Sequence, residues 1–209
     1  MIYLDNNATT AIDRRVLKRM AEDWAIGPSN ASSLHAAGRD AQTRIDQATA
    51  EIAAALGTRL GGPGDARLIY TSGGTESNNL ALRGIEPDAP LIVSAIEHAS
   101  VIEVAGEMAA TGRDVHFASV DRYGRVDTAA LADLIERVRP GLVSVMSANN
   151  ETGVIEPIEA VAAICRDAGV RLHVDATQSI GKTPVRLADW DVAAVTFTAH
   201  KFHGPAGCG

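Results

Sequence analysis

The sequence is poor in cysteine. Cys165 and Cys208 are its two cysteines, too few for a disulfide framework and without the paired spacing that structural zinc sites use. Cys165 lies among apolar residues of a predicted helix, where we expect a buried thiol that only packs. The cysteine pattern therefore argues against a disulfide-rich secreted domain and against a zinc finger.

A net positive charge and long apolar runs are also lacking. The formal net charge is -7, which argues against a broad surface for nucleic acid or anionic lipid. No apolar run reaches the length of a membrane span, and the N-terminus lacks a basic leader followed by an apolar segment. We therefore expect a cytoplasmic protein that binds neither nucleic acid nor a membrane directly.

The residues that are present are typical of one globular domain of the α/β class. Of the 209 residues, 46% are hydrophobic and 22% are charged, close to globular averages. Short runs rich in valine and isoleucine alternate with segments of helical periodicity, which predicts a mostly parallel sheet with helices on both faces. The predicted strands are 67–71, 91–95, 114–118, 142–146, 171–174 and 193–197. The predicted helices are 13–24, 36–56, 76–83, 100–111, 128–138 and 157–168.

The ends of the predicted strands carry the residues of interest, because open α/β sheets bind ligands outside the carboxyl ends of their strands. After the first predicted strand, Gly74 and Thr75 open a helix whose free N–H groups and dipole favour a phosphate. Glycine, serine and threonine are also ordinary helix-capping residues, and this alternative is favoured for the segment taken alone.

Two further strand ends carry an imidazole and an amide. His98 follows the second predicted strand, where it could stack on a flat ring or transfer a proton. Asn150 follows the fourth and could hydrogen-bond a ring substituent. A structural histidine and a tight turn explain the two segments nearly as well, so both alternatives stay open.

The last two strand ends carry an acid and an amine. Asp175 could pair with a protonated ring nitrogen and hold it cationic, although a helix N-cap is the ordinary alternative. Lys201 offers an amine for a Schiff base, and a partly desolvated site favours the neutral amine that attacks a carbonyl. A solvated loop lysine is the alternative, but the apolar residues just before it weaken that interpretation.

Two other patterns suggest different chemistry. Residues 176–183 imitate a phosphate-binding P-loop, with Lys182 as its lysine, and predict nucleotide binding that depends on Lys182. A P-loop must open a crossover helix, whereas Pro184 follows at once, so we reject this interpretation. His200 and His203 have a spacing that suits a shared metal, but no third ligand is indicated nearby. We therefore predict no metal site.

Taken in order, these segments closely resemble the cysteine desulfurases, which are class V, fold type I pyridoxal-phosphate enzymes. The resemblance runs through the whole chain, and its segments are 3–10, 30–35, 71–79, 149–153, 175–178 and 198–205. Segments 30–35 and 149–153 are similar to the subgroup that supplies sulfur for iron-sulfur clusters and tRNA thiolation. The resemblance implies that 1–209 is the large cofactor-binding domain, with an N-terminal helical segment 1–60 and an α/β core 61–209.

The resemblance also implies a role for each candidate residue. Lys201 would form the Schiff base with pyridoxal 5'-phosphate and then act as the base at the substrate α-carbon. Asp175 would hold the pyridine nitrogen, and His98 would stack on the ring and assist proton transfer. Gln178 and Asn150 would bond the side of the ring that carries the phenolic oxygen. The phosphate would be lined by Gly74, Thr75, Thr198 and His200, with Ala199 beside them.

The implied reaction converts L-cysteine to L-alanine, with the sulfur leaving as a persulfide on an enzyme cysteine. The implied partners are sulfur-acceptor or scaffold proteins and a second copy of the chain in a homodimer. Members of this family are nearly twice as long as this chain. They carry the acceptor cysteine on a mobile loop beyond the lysine, an arginine for the substrate carboxylate and a small C-terminal domain.

None of these family features is found in the sequence. We therefore expect a fold that is incomplete at the C-terminus, with an unpaired sheet edge, in a fragment or one piece of a split protein. Such a chain would bind the cofactor weakly and lack desulfurase turnover. A selenocysteine lyase, an aminotransferase of the same class and a non-catalytic cofactor-binding remnant remain as alternatives.

Overall fold

The computed structural model describes residues 2–60 and 65–209. Its helices are α1 Arg14–Ala25, α2 Ala36–Ala55, α3 Gly74–Gly84, α4 Ala99–Ala110, α5 Thr128–Val138 and α6 Ile158–Asp167. Its strands are β1 Leu91–Ser94, β2 Val115–Ala118, β3 Leu142–Met146, β4 Arg171–Asp175 and β5 Ala194–Thr196. Short 3-10 helices cover Leu187–Asp189 and Ala199–Lys201. The sequence of residues 61–64, Gly-Gly-Pro-Gly, predicts a loop, and these residues lie outside the described part of the chain.

The five strands form one parallel sheet in the order β2-β1-β3-β4-β5. Parallel neighbours need crossover connections, which α4, α5 and α6 supply between β1 and β4, whereas turns and the 3-10 helix Leu187–Asp189 connect β4 to β5. In register, Met146 lies beside Asp175, and Asp175 lies beside Thr196. The carboxyl ends of the three strands therefore meet at one edge, and the predicted α/β fold class is confirmed.

Apolar residues cover both faces of the sheet. Ile92 and Val93 are neighbours on β1 but point to opposite faces, since side chains alternate along a strand. Val93 packs with Leu82 of α3 and Val101 of α4, whereas Ile92 packs with Leu131 of α5. All five side chains are nearly inaccessible to water, and burying a side chain of this size contributes about 2 kcal/mol. Helices on both faces follow from this pattern.

The N-terminal segment reaches the carboxyl edge of the sheet before α1 begins. The backbone N–H of Thr10 donates to the His200 carbonyl over 2.9 Å, and that of Asp13 donates to the His203 carbonyl over 3.0 Å. Helix α1 itself buries none of its residues. Hydrogen bonds such as these, rather than an apolar helix face, thus hold the start of the chain beside the residues around Lys201.

The prediction of a strand at 67–71 was wrong. A strand requires a ladder of hydrogen bonds to a neighbour. Within the described residues, Ala66, which precedes the segment, makes an isolated bridge to Leu60, and Thr71 exchanges both backbone hydrogen bonds with Gly209. Ile69 and Tyr70 stay about half exposed, at 62% and 47%. The sequence pattern is that of a buried strand, but the partner that would complete its ladder is missing from the described sheet.

The other predicted elements agree with the structure to within two residues at each end. One shift matters for the site: β4 extends to Asp175, one residue further than predicted. The residues that follow form turns rather than a helix, so the helix N-cap alternative for Asp175 is wrong. Among the described residues, none of the helices combines the length and apolar character needed to cross a bilayer.

Candidate active site

A cavity of about 230 Å³ opens at the carboxyl edge of the sheet, where α3 and α4 begin. Side chains from several loops that leave the sheet meet there, as expected for an open parallel sheet. The residues that line it are Gly74, Thr75, Asn78, His98, Ser100, Met146, Ala148, Asn150, Asp175, Thr177, Gln178, Thr198, His200 and Lys201.

Every residue that the sequence nominated lines this cavity, with the exception of Ala199. The backbone N–H of Ala199 donates to the Cys208 carbonyl over 3.1 Å, so it is engaged within the loop rather than offered to a ligand. Gly74 and Lys201 are 127 positions apart in the chain. They line the same cavity because the carboxyl ends of parallel strands lie at one edge of the sheet.

Asp175 lies at the end of β4 and is 4% exposed. Its Oδ1 accepts a hydrogen bond from the Thr177 backbone N–H over 2.9 Å, and its Oδ2 accepts one from Asn78 Nδ2 over 2.8 Å. Two donors therefore fix the plane of the carboxylate. Each oxygen keeps a lone pair for a cationic partner in the cavity.

His98 is the N-cap of α4. Its Nδ1 accepts the Ser100 backbone N–H over 3.1 Å and lies 2.9 Å from Ser100 Oγ. A backbone N–H can only donate, so Nδ1 carries no proton and the neutral ring has its proton on Nε2. The same residue thus caps the helix and lines the cavity, and its role toward a ligand stays a prediction.

Asn78 connects these two groups, and the sequence prediction missed it as a site residue. Its Nδ2 donates to Ser100 Oγ over 2.9 Å as well as to Asp175, and its Oδ1 accepts from Thr196 Oγ1. The residue is 1% exposed. An asparagine on the apolar face of a helix is disfavoured by propensity, and that conflict was the available signal.

The phosphate end of the cavity is formed by the first turn of α3. Gly73 is the N-cap and has no side chain to cap the helix, so the N–H groups of the first turn are open to an anion. A Cβ on Gly74 would lie 3.5 Å from Thr198 and 3.7 Å from Thr177 Oγ1. Because glycine has no side chain, that side of the cavity is unobstructed. The hydroxyl of Thr75 adds a donor at the same end.

Lys201 ends the 3-10 helix Ala199–Lys201, and its Nζ donates to the carbonyls of Asn7 and Ala8 over 2.7 and 2.9 Å. Burial lowers the pKa of Lys201, against the opposing effect of the Asp175 and Asp5 charges. The predicted alternative of a freely solvated loop lysine does not describe this amine.

Gln178 and the N-terminal segment meet beside Lys201. Gln178 Nε2 donates to the Asn7 carbonyl over 2.9 Å, and Gln178 Oε1 accepts from Lys182 Nζ. Asn7 Nδ2 donates in turn to the backbone carbonyl of Asn150 over 3.0 Å. Asn7 was predicted only as part of a matching segment, since nothing local marks a residue whose partners lie so far away in sequence.

The structure rejects the P-loop interpretation of residues 176–183. The backbone N–H groups of Ser179 and Ile180 donate to the Ala176 carbonyl, and those of Lys182 and Thr183 donate to the Ser179 carbonyl. Amides that are used inside consecutive turns cannot cradle a phosphate.

His200 and His203 turn toward the N-terminal segment, with their Nδ1 atoms 3.1 Å from Thr9 Oγ1 and 3.0 Å from the Ala11 carbonyl oxygen. Within residues 2–60 and 65–209, no three histidine, cysteine, aspartate or glutamate side chains come together as metal ligands.

Cys165 is buried in the core, as predicted, and burial raises the pKa of its thiol to about 12.

Comparison with known proteins agrees with the fold and the motifs. The family model for class-V aminotransferases matches residues 2–209. A cysteine desulfurase of Sinorhizobium fredii is 42% identical, over 100% of this chain and 54% of that protein. The structure of a NifS-like protein from Rickettsia africae has a TM-score of 0.87 at 33% identity and covers 100% of this chain and 56% of its own. The structure of SspA in complex with cysteine has a TM-score of 0.90 at 29% identity, with coverage of 100% and 60%.

The chain spans about half the length of the curated relatives that it matches. The resemblance predicted from the motifs and the predicted match to the N-terminal part of longer proteins are confirmed. With a family model that matches nearly every residue, the chain belongs to the class-V aminotransferase family.

Proposed function

We propose that this chain carries the pyridoxal 5'-phosphate site of a cysteine desulfurase. The observation that carries the proposal is that an amine, a carboxylate and an imidazole line one cavity: those of Lys201, Asp175 and His98. The three groups follow three different strands of the sheet. A flat cationic heterocycle with a reactive carbonyl is a ligand that could use all three at once.

The donor set fits each part of this cofactor. The open first turn of α3, with Thr75 and His200, suits the phosphate dianion, since free N–H groups and hydroxyls are its usual partners. Thr198 lines the same end of the cavity, but its hydroxyl donates to the Cys208 carbonyl over 2.9 Å. Asp175 suits a protonated ring nitrogen. The Nε2 group of Gln178 can donate to an anionic ring oxygen, because one of its two hydrogens is used by Asn7 and the other is not.

When bound, the cofactor supplies an electron sink for negative charge at the substrate α-carbon. Lys201 Nζ would move the proton at that carbon, and its lowered pKa increases the fraction of the neutral, basic amine at neutral pH. Asp175 would hold the ring nitrogen cationic. His98 would lie against the ring with its one proton on Nε2, where it can assist proton transfer.

The proposed substrate is L-cysteine. Its Cβ–S bond would break, the sulfur would bond to the sulfur of an acceptor thiolate as a persulfide, and the remaining carbon skeleton would be protonated to L-alanine. Relatives that are named cysteine desulfurases and the SspA structure in complex with cysteine support this choice. Cys165 is unsuited as acceptor because it is buried and its thiol pKa is about 12.

The first test is cofactor binding by the 209-residue chain. Titration with pyridoxal phosphate should produce a visible absorbance band, and borohydride reduction should fix the cofactor covalently on the Lys201 peptide. The Lys201→Ala variant should show neither result. Lys18→Ala removes a largely exposed lysine of α1 and should behave like the wild type. A covalent adduct distributed equally over the three lysines would contradict the proposal.

The second test is turnover. We propose that the acceptor thiol lies outside residues 1–209, so that the chain alone, loaded with pyridoxal phosphate, should not release sulfide from L-cysteine. Sulfide release by the isolated chain, lost in Lys201→Ala, would contradict this part while supporting the cofactor site.

The family match also favours a second candidate, another class-V reaction such as that of an aminotransferase or a selenocysteine lyase. Such an enzyme would share Lys201 and Asp175 and differ in the substrate. Product analysis with L-cysteine, L-selenocysteine and amino-group acceptors, on the full-length protein, separates these reactions.

We further propose a cytoplasmic location, a homodimer and a sulfur-acceptor or scaffold protein as partner. Sedimentation of the purified chain tests the dimer.

A further inference from the structure

The P-loop-like segment 176–183 has no role in the function proposed so far, yet its lysine lies beside the candidate site. Lys182 Nζ donates to Gln178 Oε1 and, over 3.3 Å, to Asn7 Oδ1. Both acceptors belong to residues around the cavity: Gln178 lines it, and the carbonyl of Asn7 accepts Lys201 Nζ. Burial and, to a smaller degree, the charge of Lys201 lower the pKa of Lys182.

The contacts with Lys182 and Asn7 together decide which way the Gln178 amide points. A glutamine amide can turn by half a rotation and exchange its oxygen and nitrogen, and only its neighbours fix the choice. Lys182 can only donate, so it requires Oε1 on its side. The Asn7 carbonyl can only accept, so it requires Nε2. The two neighbours therefore agree on one orientation.

That orientation determines what the amide offers to the cavity. Nε2 has two hydrogens, of which one is used by the Asn7 carbonyl, and the second is left for a ligand. If Lys182 were absent, the Asn7 carbonyl would be the one neighbour among the described residues opposing the opposite rotamer, which presents Oε1, whose lone pairs would repel an anionic ring oxygen. Lys182, which touches no ligand, would thus strengthen the preference for the rotamer that attracts an anionic oxygen.

We propose that Lys182 is a positioning residue: its ammonium fixes the Gln178 amide with the NH₂ toward the site and ties Asn7 of the N-terminal segment beside Lys201. The inference rests on the proposed function for the identity of the ligand, but the orientation of the amide belongs to the chain itself. This assigns to Lys182 a role different from the nucleotide binding that the motif suggests.

The amide orientation is tested on the chain without cofactor. In a proton–nitrogen NMR spectrum, the side-chain NH₂ signals of Gln178, identified by their loss in Gln178→Glu, should be shifted from those of exposed glutamines. Lys182→Met should move them toward the exposed positions, whereas Lys182→Arg, which keeps the donor, should leave them in place. Lys18→Met, the same change on α1, is the control. Unchanged Gln178 signals in Lys182→Met would overturn the proposal.

Affinity for pyridoxal phosphate is the second readout. Lys182→Met should weaken binding roughly tenfold, the size expected when a charge-assisted hydrogen bond is lost, and Lys182→Arg should change it by less than about twofold. Equal affinity in wild type and Lys182→Met would also overturn the proposal. If the wild-type chain binds no pyridoxal phosphate, the proposed function fails, and the NMR result decides the inference alone. Lys182→Ala replaces Lys182→Met if the latter does not fold.

Discussion

At the scale of single residues, a second carboxyl group lies behind the site. Glu97 is 8% exposed, and its Oε1 accepts the Met146 backbone N–H over 2.6 Å as well as the hydroxyl of Ser94. Its Oε2 is buried without a partner among the described atoms. Burial raises the pKa of Glu97 to about 8, the Ser94 and Met146 contacts oppose this, and the charges of Asp175 and Glu156 add to it. The folded protein therefore holds this residue as a neutral acid at pH 7.

Glu97→Gln is expected to make the protein more stable, and increasingly so as the pH rises from about 5 to about 8. In that window the unfolded chain releases the Glu97 proton and the folded chain keeps it, so the free energy of unfolding of the wild type falls with pH. Glutamine cannot ionise and keeps the oxygen that Met146 requires. The gain can reach roughly 5 kcal/mol above pH 8. Urea unfolding at a series of pH values measures it.

The control for this prediction is Glu103→Gln, which removes an exposed carboxylate from α4. It should leave the pH dependence of unfolding unchanged. A Glu97→Gln curve that runs parallel to the wild-type curve between pH 5 and 8 would show that Glu97 is ionised in the folded state.

At the scale of elements, the turns after β4 are held against the 3-10 helix that carries Lys201. Gly181 has a φ of +77°, and a Cβ there would lie 2.6 Å from Phe202 Cβ and 3.0 Å from its ring. Phe202 directly follows Lys201 and packs against the larger apolar core. Because Gly181 has no side chain, segments 176–183 and 199–201 can approach each other closely. Both segments contain residues that line the cavity.

Gly181→Ala should therefore destabilise the protein more than Gly153→Ala. Gly153 has a similar φ of +73° with nothing within 4 Å of an added Cβ, so its substitution costs only the backbone strain of about 1 kcal/mol. At Gly181 the clash with Phe202 adds roughly 1 to 3 kcal/mol. Denaturant unfolding of both variants gives the comparison. Equal losses of stability would mean that Phe202 moves aside at no cost.

At the scale of the whole molecule, one side of the sheet leaves an apolar groove of about 530 Å³ between β5 and residues 67–71. Ile69, Leu80 and Val195 are among the residues that line it. In the described sheet, β5 has a neighbour on one side only, which is β4. The predicted unpaired edge is found here. Exposed apolar edges of this kind pair readily with other chains.

We expect the purified 209-residue chain to associate through this groove. Its average mass by light scattering should rise with protein concentration, and Ile69→Lys should reduce the increase because a charge would be buried in each contact. Ile155→Lys changes an equally exposed isoleucine, 61% against 62%, outside the groove and serves as control. If both variants reduce the association alike, general charge repulsion rather than the groove is responsible.

The class of fold, nearly all helices and strands, and the residues at the strand ends could be predicted from local sequence patterns. Continuous apolar runs and helical periodicity are local patterns, and the carboxyl ends of parallel strands must meet at one edge. Gly74, His98, Asp175 and Lys201 could therefore be nominated before any coordinates, and they line one cavity.

Whether each local pattern finds the hydrogen-bond partners it needs depends on contacts between distant parts of the chain. The sequence of residues 67–71 predicts a strand, but none of the described strands pairs with this segment in a ladder of hydrogen bonds. The backbone N–H of Ala199 donates to the Cys208 carbonyl and is not offered to a ligand. Asn7, Asn78 and Lys182 act through partners that are distant in sequence or set by turn geometry. A hydrogen bond requires that the fold bring donor and acceptor within about 3 Å of each other. For residues that are far apart in the chain, local sequence patterns do not predict that proximity.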